Sequence, residues 1–538
     1  MADVALSTFS YEDGDYENWE LPFDYHCLYI LENGKDAYIG ETKAVVRRSQ
    51  EHKAITDVCS RYKFRRIHVV TGQTFDETPA KHYETLLIRL MKADGKFRVR
   101  NKKKEWQHYG RKNEFELCFD RLWLELEKKG LVRHKEFQDV LNLSAYKFSP
   151  DVPLTEAQCD ALTSILHTID SRETRPHTKG YLPRPICISG DAGTGKTVVA
   201  ASLFHYLRTH ERYKDRKIGL VYPTSPTRAE IQDAFKAIPG LRKKDVLSPS
   251  AVARERYDIV ICDEAQHLRR PKDAGRYYTG WIRTVNRRLG LPEDSDELDW
   301  LLTNSGCLIL FYDQKQSVSS ADIPAERFEE RLLTRDRGVR PIALREQMRL
   351  RAGEDYVPYV YDVLYERGPR PRRFEGYELK IFRSFADMFR LLREKEEAYG
   401  FSRLCGGYAW KWVSKNHPER ADIRLDGVDV FWNQRTAGWL SDPSAREEMG
   451  SIYTLPGLDL NYAFVVIGPE LTYENGGIRV RREALYDNQA KRTETDEELK
   501  TFLLNIYGVF MTRGILGACL YVCDGALRDY LGRFFPIV

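Results

Sequence analysis

The sequence predicts an α/β protein in which a small α+β unit precedes two lobes built on parallel sheets. Three observations carry that prediction. From about residue 150 to residue 524, apolar strand-like runs alternate with helix-like ones, the pattern of a parallel sheet covered by helices on both faces. Inside that stretch, Gly190-Asp191-Ala192-Gly193-Thr194-Gly195-Lys196-Thr197 follows the apolar Ile186-Cys187-Ile188 and precedes the helix-like Val198–Leu203, a strand–loop–helix order. Upstream, residues 25–110 hold short strand and helix candidates of one compact unit.

At 538 residues the chain is too long for a single core. The expected order is an acidic tail over residues 1–24, the α+β unit over 25–110, a helical connector over 111–150, a first lobe over 151–335 and a second over 336–538. Charged residues at 30% and apolar residues at 42% are the proportions of an ordinary soluble protein. No run approaches the ~18 apolar residues of a membrane span. The net charge of +4 is too mild to name a partner, but its distribution says more. Residues 1–24 carry seven acids and no Lys or Arg, whereas Lys43 to Arg66 holds eight cations. Basic runs at 98–104 and 367–373 suit a phosphate backbone as well as they suit a solvated face. Ten cysteines without a C-x-x-C pair signal neither a zinc ribbon nor a disulfide framework. With no signal peptide, a reduced, cytoplasmic protein is expected.

In chain order, Cys27–Leu31 and Ala37–Ile39 flank the turn Glu32-Asn33-Gly34-Lys35 and predict a hairpin. Helices are predicted over Ala44–Thr56 and Ala80–Lys92, and the apolar positions Phe115, Leu117, Leu122, Leu124 and Leu126 predict the connector helix. Ser149-Pro150-Asp151-Val152-Pro153 marks a boundary. The charged stretch Leu289–Asp299 reads as a surface insertion.

The loop Gly190–Thr197 is a complete phosphate-binding loop. Its glycines let backbone N–H groups turn toward phosphates, and the helix N-terminus adds positive potential. Lys196 is expected on the β and γ phosphates and the Thr197 hydroxyl on Mg²⁺. Asp258-Ile259-Val260-Ile261-Cys262-Asp263-Glu264 is a buried strand ending in two acids, with Asp263 expected in the Mg²⁺ shell and Glu264 polarising the attacking water. Leu308–Ser317 repeats the apolar-strand-then-polar design, with Gln316 placed to sense the γ-phosphate. Thr155 and Gln158 lie upstream, where a glutamine reads adenine; ATP is thus the expected nucleotide.

This order of motifs resembles superfamily 1 helicases, and more narrowly a bacterial family of Schlafen-type helicase-like ATPases, over residues ~150–525. The resemblance takes in Val221-Tyr222-Pro223-Thr224, Leu344-Arg345-Glu346-Gln347-Met348-Arg349, Gly407-Tyr408-Ala409-Trp410-Lys411-Trp412 and Asn505–Gly514. It implies two RecA-like lobes, with Arg349 and Arg513 reaching the γ-phosphate across the lobe interface. One segment departs from the family. Its His-Thr-x-Gln-Gly-x-Glu pattern reads Tyr453-Thr454-Leu455-Pro456-Gly457-Leu458-Asp459 here. Proline supplies neither the glutamine amide nor a backbone N–H, so the departure bears on the coupling of hydrolysis to nucleic-acid movement, not on nucleotide binding.

The N-terminal unit carries Cys27-Leu28-Tyr29, Tyr38-Ile39-Gly40, Arg47-Arg48-Ser49-Gln50-Glu51-His52, Glu84 in a helix and Asn101 after Val99-Arg100. It resembles a GIY-YIG endonuclease domain over residues ~25–105, with the first Gly-Ile replaced by Cys-Leu and the second triplet intact. Phosphodiester cleavage needs an activated water, a metal and a cation beside the developing charge. The resemblance implies Glu84 as the metal carboxylate, for Mg²⁺ or Mn²⁺. Tyr29 or Tyr38 orients or deprotonates water, His52 serves as base or relay, Arg48 binds the scissile phosphate, and Asn101 is the late asparagine.

The expected function is an ATP-dependent nuclease–helicase acting on nucleic acid, DNA before RNA, in prokaryotic defence against foreign DNA. A nucleotide-controlled sensor of nucleic acid or phage that unwinds nothing, and a repair or RNA-processing nuclease, are the alternatives. A homo-oligomer or a phage-derived trigger is compatible with each, and no membrane partner is expected.

Overall fold

The computed structural model describes residues 4–11, 26–53, 61–72, 77–101, 112–134, 154–172, 184–238, 241–271, 276–330, 341–434, 442–455, 459–487 and 495–538, with a few isolated residues between these runs. The chain divides into two compact units, Met1–Pro153 and Leu154–Val538.

The first unit is built on a five-stranded sheet. Its strands are β1 (Val4–Ser10), β2 (Cys27–Glu32), β3 (Asp36–Thr42), β4 (Arg66–Gly72) and β5 (Arg98–Val99), in the order β1-β4-β2-β3-β5. The β2–β3 hairpin closes where the Asn33 side-chain oxygen accepts from the N–H groups of Lys35, at 3.0 Å, and Asp36, at 2.7 Å. Gly34 there sits at φ +84°, a left-handed conformation that favours glycine. Side chains alternate along β2. Leu28 and Ile30 enter a core with Tyr83 and Leu87 of the helix Glu77–Asp94, while Tyr29 and Leu31 enter a second cluster with Val45 and Phe64.

Two expectations change here. Residues 4–10, expected in an acidic tail, pair antiparallel with β4 along their whole length. Six of the seven acids of the first 24 residues lie at 12–24, whereas Val4–Ser10 contains no charge and includes the strand formers Val4, Thr8 and Phe9. Residues 12–25 lie outside the described residues. The connector helix, Lys112–Lys128, is core: Phe119, Leu122, Trp123 and Leu126 are fully buried with Leu28, Ile30 and Ile39.

The second unit contains two parallel sheets. The first joins β6 (Ile186–Gly190), β7 (Ile218–Val221), β8 (Val246–Leu247), β9 (Tyr257–Cys262), β10 (Ser305–Tyr312) and β11 (Ile342–Leu344) in the order β11-β6-β10-β9-β7-β8. Because β11 pairs with β6, the first lobe runs past the expected boundary at residue 335. The second sheet uses β12 (Glu378–Phe382), β13 (Ser402–Gly406), β16 (Met449–Gly450), β17 (Leu460–Ile467) and β20 (Gly514–Val522), ordered β12-β20-β17-β13-β16. The hairpins β14–β15 (Ile423–Leu425, Val428–Val430) and β18–β19 (Leu471–Glu474, Gly477–Val480) stand apart from it. Central strands covered on both faces are apolar throughout, as in Leu308–Phe311 and Phe464–Val466.

The stretch Leu289–Asp299 is only partly the surface insertion expected. Its acids Asp296 and Asp299 are buried, forming a capping box that starts the helix Glu297–Asn304. Among the described residues no helix is long and apolar enough to cross a membrane.

Candidate nucleotide site and tyrosine–histidine cluster

The loop Gly190–Gly195 leaves β6 at its C-terminal end and runs into the helix Lys196–Thr209. Gly193 and Gly195 adopt φ of +88° and +80°. A Cβ at either would also overlap a glutamine amide, of Gln347 and Gln158 respectively. The loop's carbonyls are gripped from outside. Ala192 accepts from Gln347 Nε2 at 2.8 Å, Gly193 from the Met348 N–H at 3.0 Å and Thr194 from Gln158 Nε2 at 3.2 Å. Gln158, expected to read adenine, thus braces the loop, its oxygen accepting from the Thr155 N–H.

Lys196 is buried and donates to the carbonyls of Gly190 at 2.7 Å and Asp191 at 3.1 Å, with Asp313 at 3.7 Å. Asp263 is fully buried at the end of β9. Burial, then the adjacent Glu264, raises its pKa, while a hydrogen bond with Thr197 and the charge of Lys196 oppose the rise. Tyr222 donates to it at 3.1 Å. Glu264 stands at φ +54°, an uncommon conformation for a side-chain-bearing residue, of the kind that gathers at working sites. Burial pushes its carboxyl up, but Lys196, His267 and Arg513 outweigh burial and hold it below the ordinary value.

A continuous polar chain runs from Glu264 into the second lobe. Gln266 donates to Glu264 and accepts from the Asp313 N–H at 3.1 Å. Asp313 accepts from Gln316 Nε2 at 2.8 Å, and Gln316 Oε1 accepts from Arg513 at 3.2 Å. Arg349 donates to Asp459 and to the Thr512 carbonyl, both at 2.8 Å, and Arg513 lies 3.9 Å from the same Asp459. Both arginines therefore converge on the acid that ends the departing segment, whose Pro456–Leu458 lie outside the described residues. Asp459 had no role in the sequence reading, nor had Gln266 or Gln347. Their signal is position: Gln266 follows the acidic pair by two residues, and Asp459 stands where the family pattern has Glu.

In the first unit, Tyr29, Tyr38 and His52 form one ring cluster, with centroids 6.4 Å apart for the tyrosines and 5.0 Å for Tyr38 and His52. The Tyr29 hydroxyl and His52 Nε2 are 2.7 Å apart. Which of the two groups donates is set by the imidazole tautomer. Burial, then Tyr38, raises the Tyr29 pKa, with Glu84 adding to the rise and Arg48 opposing it. Tyr29 is thereby held as the neutral phenol. Arg48 also bridges to Glu51 at 2.8 Å, and Glu84 is buried on the helix Glu77–Asp94.

Cross-strand register explains the intact triplet. Gly40 lies opposite Tyr29, and a Cβ there would overlap the Tyr29 hydroxyl. The altered residues Cys27 and Leu28 are both buried; Leu28 fills the main core and Cys27 the smaller one, so the Cys-Leu change alters packing and keeps the phenol. Asn101 is a positioning residue. It accepts from the Ile39 N–H at 3.0 Å and donates to the Ile39 carbonyl at 2.6 Å, pinning β3 between Tyr38 and Gly40. Among the described residues no group of three or more His, Cys, Asp or Glu gathers as a metal cage.

The parallel sheets, the phosphate-binding loop and the paired acids define the second unit as a helicase-like P-loop ATPase. A family model for the Schlafen group 3 DNA/RNA helicase domain matches residues 183–524, well over half of the chain. The chain belongs to that family. An uncharacterized protein of Saccharomyces cerevisiae is 26% identical over 412 residues, 65% of this chain and 84% of the yeast protein. Among solved structures, the chain is similar to the Pif1 helicase of Candida albicans at 14% identity and a TM-score of 0.23, over 46% of this chain and 54% of that one. It is also similar to the arterivirus nonstructural protein 10 helicase at 13% identity and a TM-score of 0.30, over 65% of this chain and 62% of that one.

Proposed function

We propose that the chain is an ATP-driven translocase on nucleic acid whose N-terminal unit cleaves phosphodiester bonds, with DNA the first substrate to test. The observation that carries the motor half is the polar chain from Glu264 through Gln266, Asp313 and Gln316 to Arg513. It ties the water-polarising acid of one lobe to the phosphate-seeking arginine of the other, as hydrolysis coupled to lobe closure requires. The donor set suits a divalent cation: the Thr197 hydroxyl lies beside Asp263, and that fully buried acid adjoins the half-buried Glu264, so the pair needs positive charge. Bound there, Mg²⁺ would offset charge on the β and γ phosphates. Lys196, Arg349 and Arg513 serve the same phosphates, and Glu264, held ionised, orients the water.

The cleavage half rests on the tyrosine–histidine cluster. Tyr29 passes a proton toward His52, Arg48 faces the phosphate, and Glu84 supplies one metal ligand, the rest coming from water and substrate, as Mg²⁺ or Mn²⁺ accepts. The setting expected from the sequence is defence against foreign DNA. Repair and RNA processing are the alternative settings. Steady-state ATP hydrolysis with and without single-stranded DNA tests the motor. Stimulation by the strand is expected, with a loss on the order of 100-fold in Lys196→Ala and Arg513→Ala. Hydrolysis indifferent to nucleic acid would favour the sensor reading.

A further inference from the structure

The first lobe of the second unit carries a basic cavity of about 410 Å³ at the opposite end of its sheet from the phosphate-binding loop. It opens where β7 and β9 begin, beside the last turn of the helix Lys196–Thr209. That helix starts at the loop and spans 14 residues, so about 20 Å separates the two places. Six cations line the cavity against three carboxylates. At the rim, Lys217 is paired with Glu255 at 2.6 Å and Lys214 with Glu211 at 2.5 Å, whereas Lys244 is exposed.

The floor is the informative part. The side chains of Arg208 and Asp245 are only 12% and 9% exposed. Asp245 is engaged by Arg242 through two bonds, at 2.9 and 3.1 Å. Arg208 is left with that same carboxylate at 3.7 Å, beyond hydrogen-bond length, and its buried Nε has no hydrogen-bond partner. One acid thus serves two arginines. A nearly buried guanidinium with an unsatisfied donor is costly unless an anion completes it. A cation near a helix C-terminus is favourable by itself, but that does not satisfy a buried Nε–H or call for the surrounding lysines.

We infer that this cavity binds a compact anion carrying adjacent phosphate groups, held by Arg208 on the floor and by the half-exposed Arg242 and the exposed Lys244 at the rim. Its volume lies within the range of small-ligand sites. Two sources supply that chemistry: a free polyphosphate, and the phosphorylated end of a nucleic-acid strand.

The test is calorimetric titration of the full-length chain, carrying Lys196→Ala to silence the phosphate-binding loop, with tripolyphosphate and with a 5′-triphosphorylated oligonucleotide beside its 5′-hydroxyl twin. Saturable tripolyphosphate binding is expected, weakened roughly tenfold or more by Arg208→Gln. Lys244→Glu, an exposed change that spares the fold, should weaken it as well. Tighter binding of the triphosphorylated oligonucleotide than of free tripolyphosphate would make the strand end the source, and equal affinity the free anion. No saturable binding of either probe, or binding unmoved by both substitutions, would overturn the inference and leave Arg208 a structural residue.

Discussion

In the nucleotide site each cation holds a protein oxygen, whereas the tyrosine cluster is a core of phenol and imidazole with one arginine at its edge. Lys196 rests on two loop carbonyls, Lys315 on Asp191, and Arg349 and Arg513 on Asp459. These partners are oxygens of the kind a triphosphate displaces, so under the proposed function the site exchanges these contacts through a cycle. The cluster of Tyr29, Tyr38 and His52 is locked by register instead. Tyr29 folds over Gly40 and Asn101 pins Ile39 between the second tyrosine and that glycine. The difference teaches that the nucleotide site is held by exchangeable charges and the tyrosine cluster by fixed geometry.

Gly40→Ala attacks the fixed geometry most sharply. A methyl group there displaces the Tyr29 hydroxyl, and cleavage should fall roughly 100-fold from misplacement alone. Overpacking should cost about 1–3 kcal/mol of stability. Nuclease rates read beside a melting curve check both, and full activity would show that the register does not hold the phenol. Asp459→Asn probes the exchangeable site. Without the competing carboxylate, ATP should bind several-fold tighter, measured as KM and as the affinity of a non-hydrolysable analogue. Weaker binding would mean that Asp459 positions the arginines for phosphate and does not compete with it.

The smallest expected effect concerns Glu470, fully buried beneath Gly407 and Gly468, where Tyr507 donates to it. Burial raises its carboxyl to about 7, the Tyr507 bond opposing. The folded chain therefore keeps this proton from about pH 4.5 to about 7 while the unfolded chain has lost it. By linkage, the contribution to stability falls as pH rises through that window and levels off above it. Glu470→Gln should flatten that part of the curve, raising the melting temperature at pH 8 relative to pH 5 by a few degrees. Identical pH profiles for both proteins would contradict this assignment.

What was legible in the sequence was whatever a local backbone demands. The loop Gly190–Thr197, the strand ending in Asp263-Glu264 and the intact Tyr38-Ile39-Gly40 each declare themselves within ten residues. What was not legible depends on distant pairing. Val4–Ser10 is a strand only because β4 lies more than fifty residues downstream to receive it. Asp459 meets Arg349 and Arg513, both far away in the chain. That Gln158 also braces the loop follows only from the Thr194 carbonyl lying within reach of its amide. The acids at Asp296 and Asp299 looked like surface charge, and a capping box takes them inside.

The most direct test of the central claim, a motor and a nuclease in one chain, is cleavage of plasmid and single-stranded DNA with Mg²⁺ or Mn²⁺, with and without ATP. Wild type, Glu84→Ala and Lys196→Ala would be compared throughout. Cutting by wild type that is lost in Glu84→Ala, and whose ATP dependence is lost in Lys196→Ala, is the predicted result. Cutting that persists undiminished without Glu84 would contradict the account.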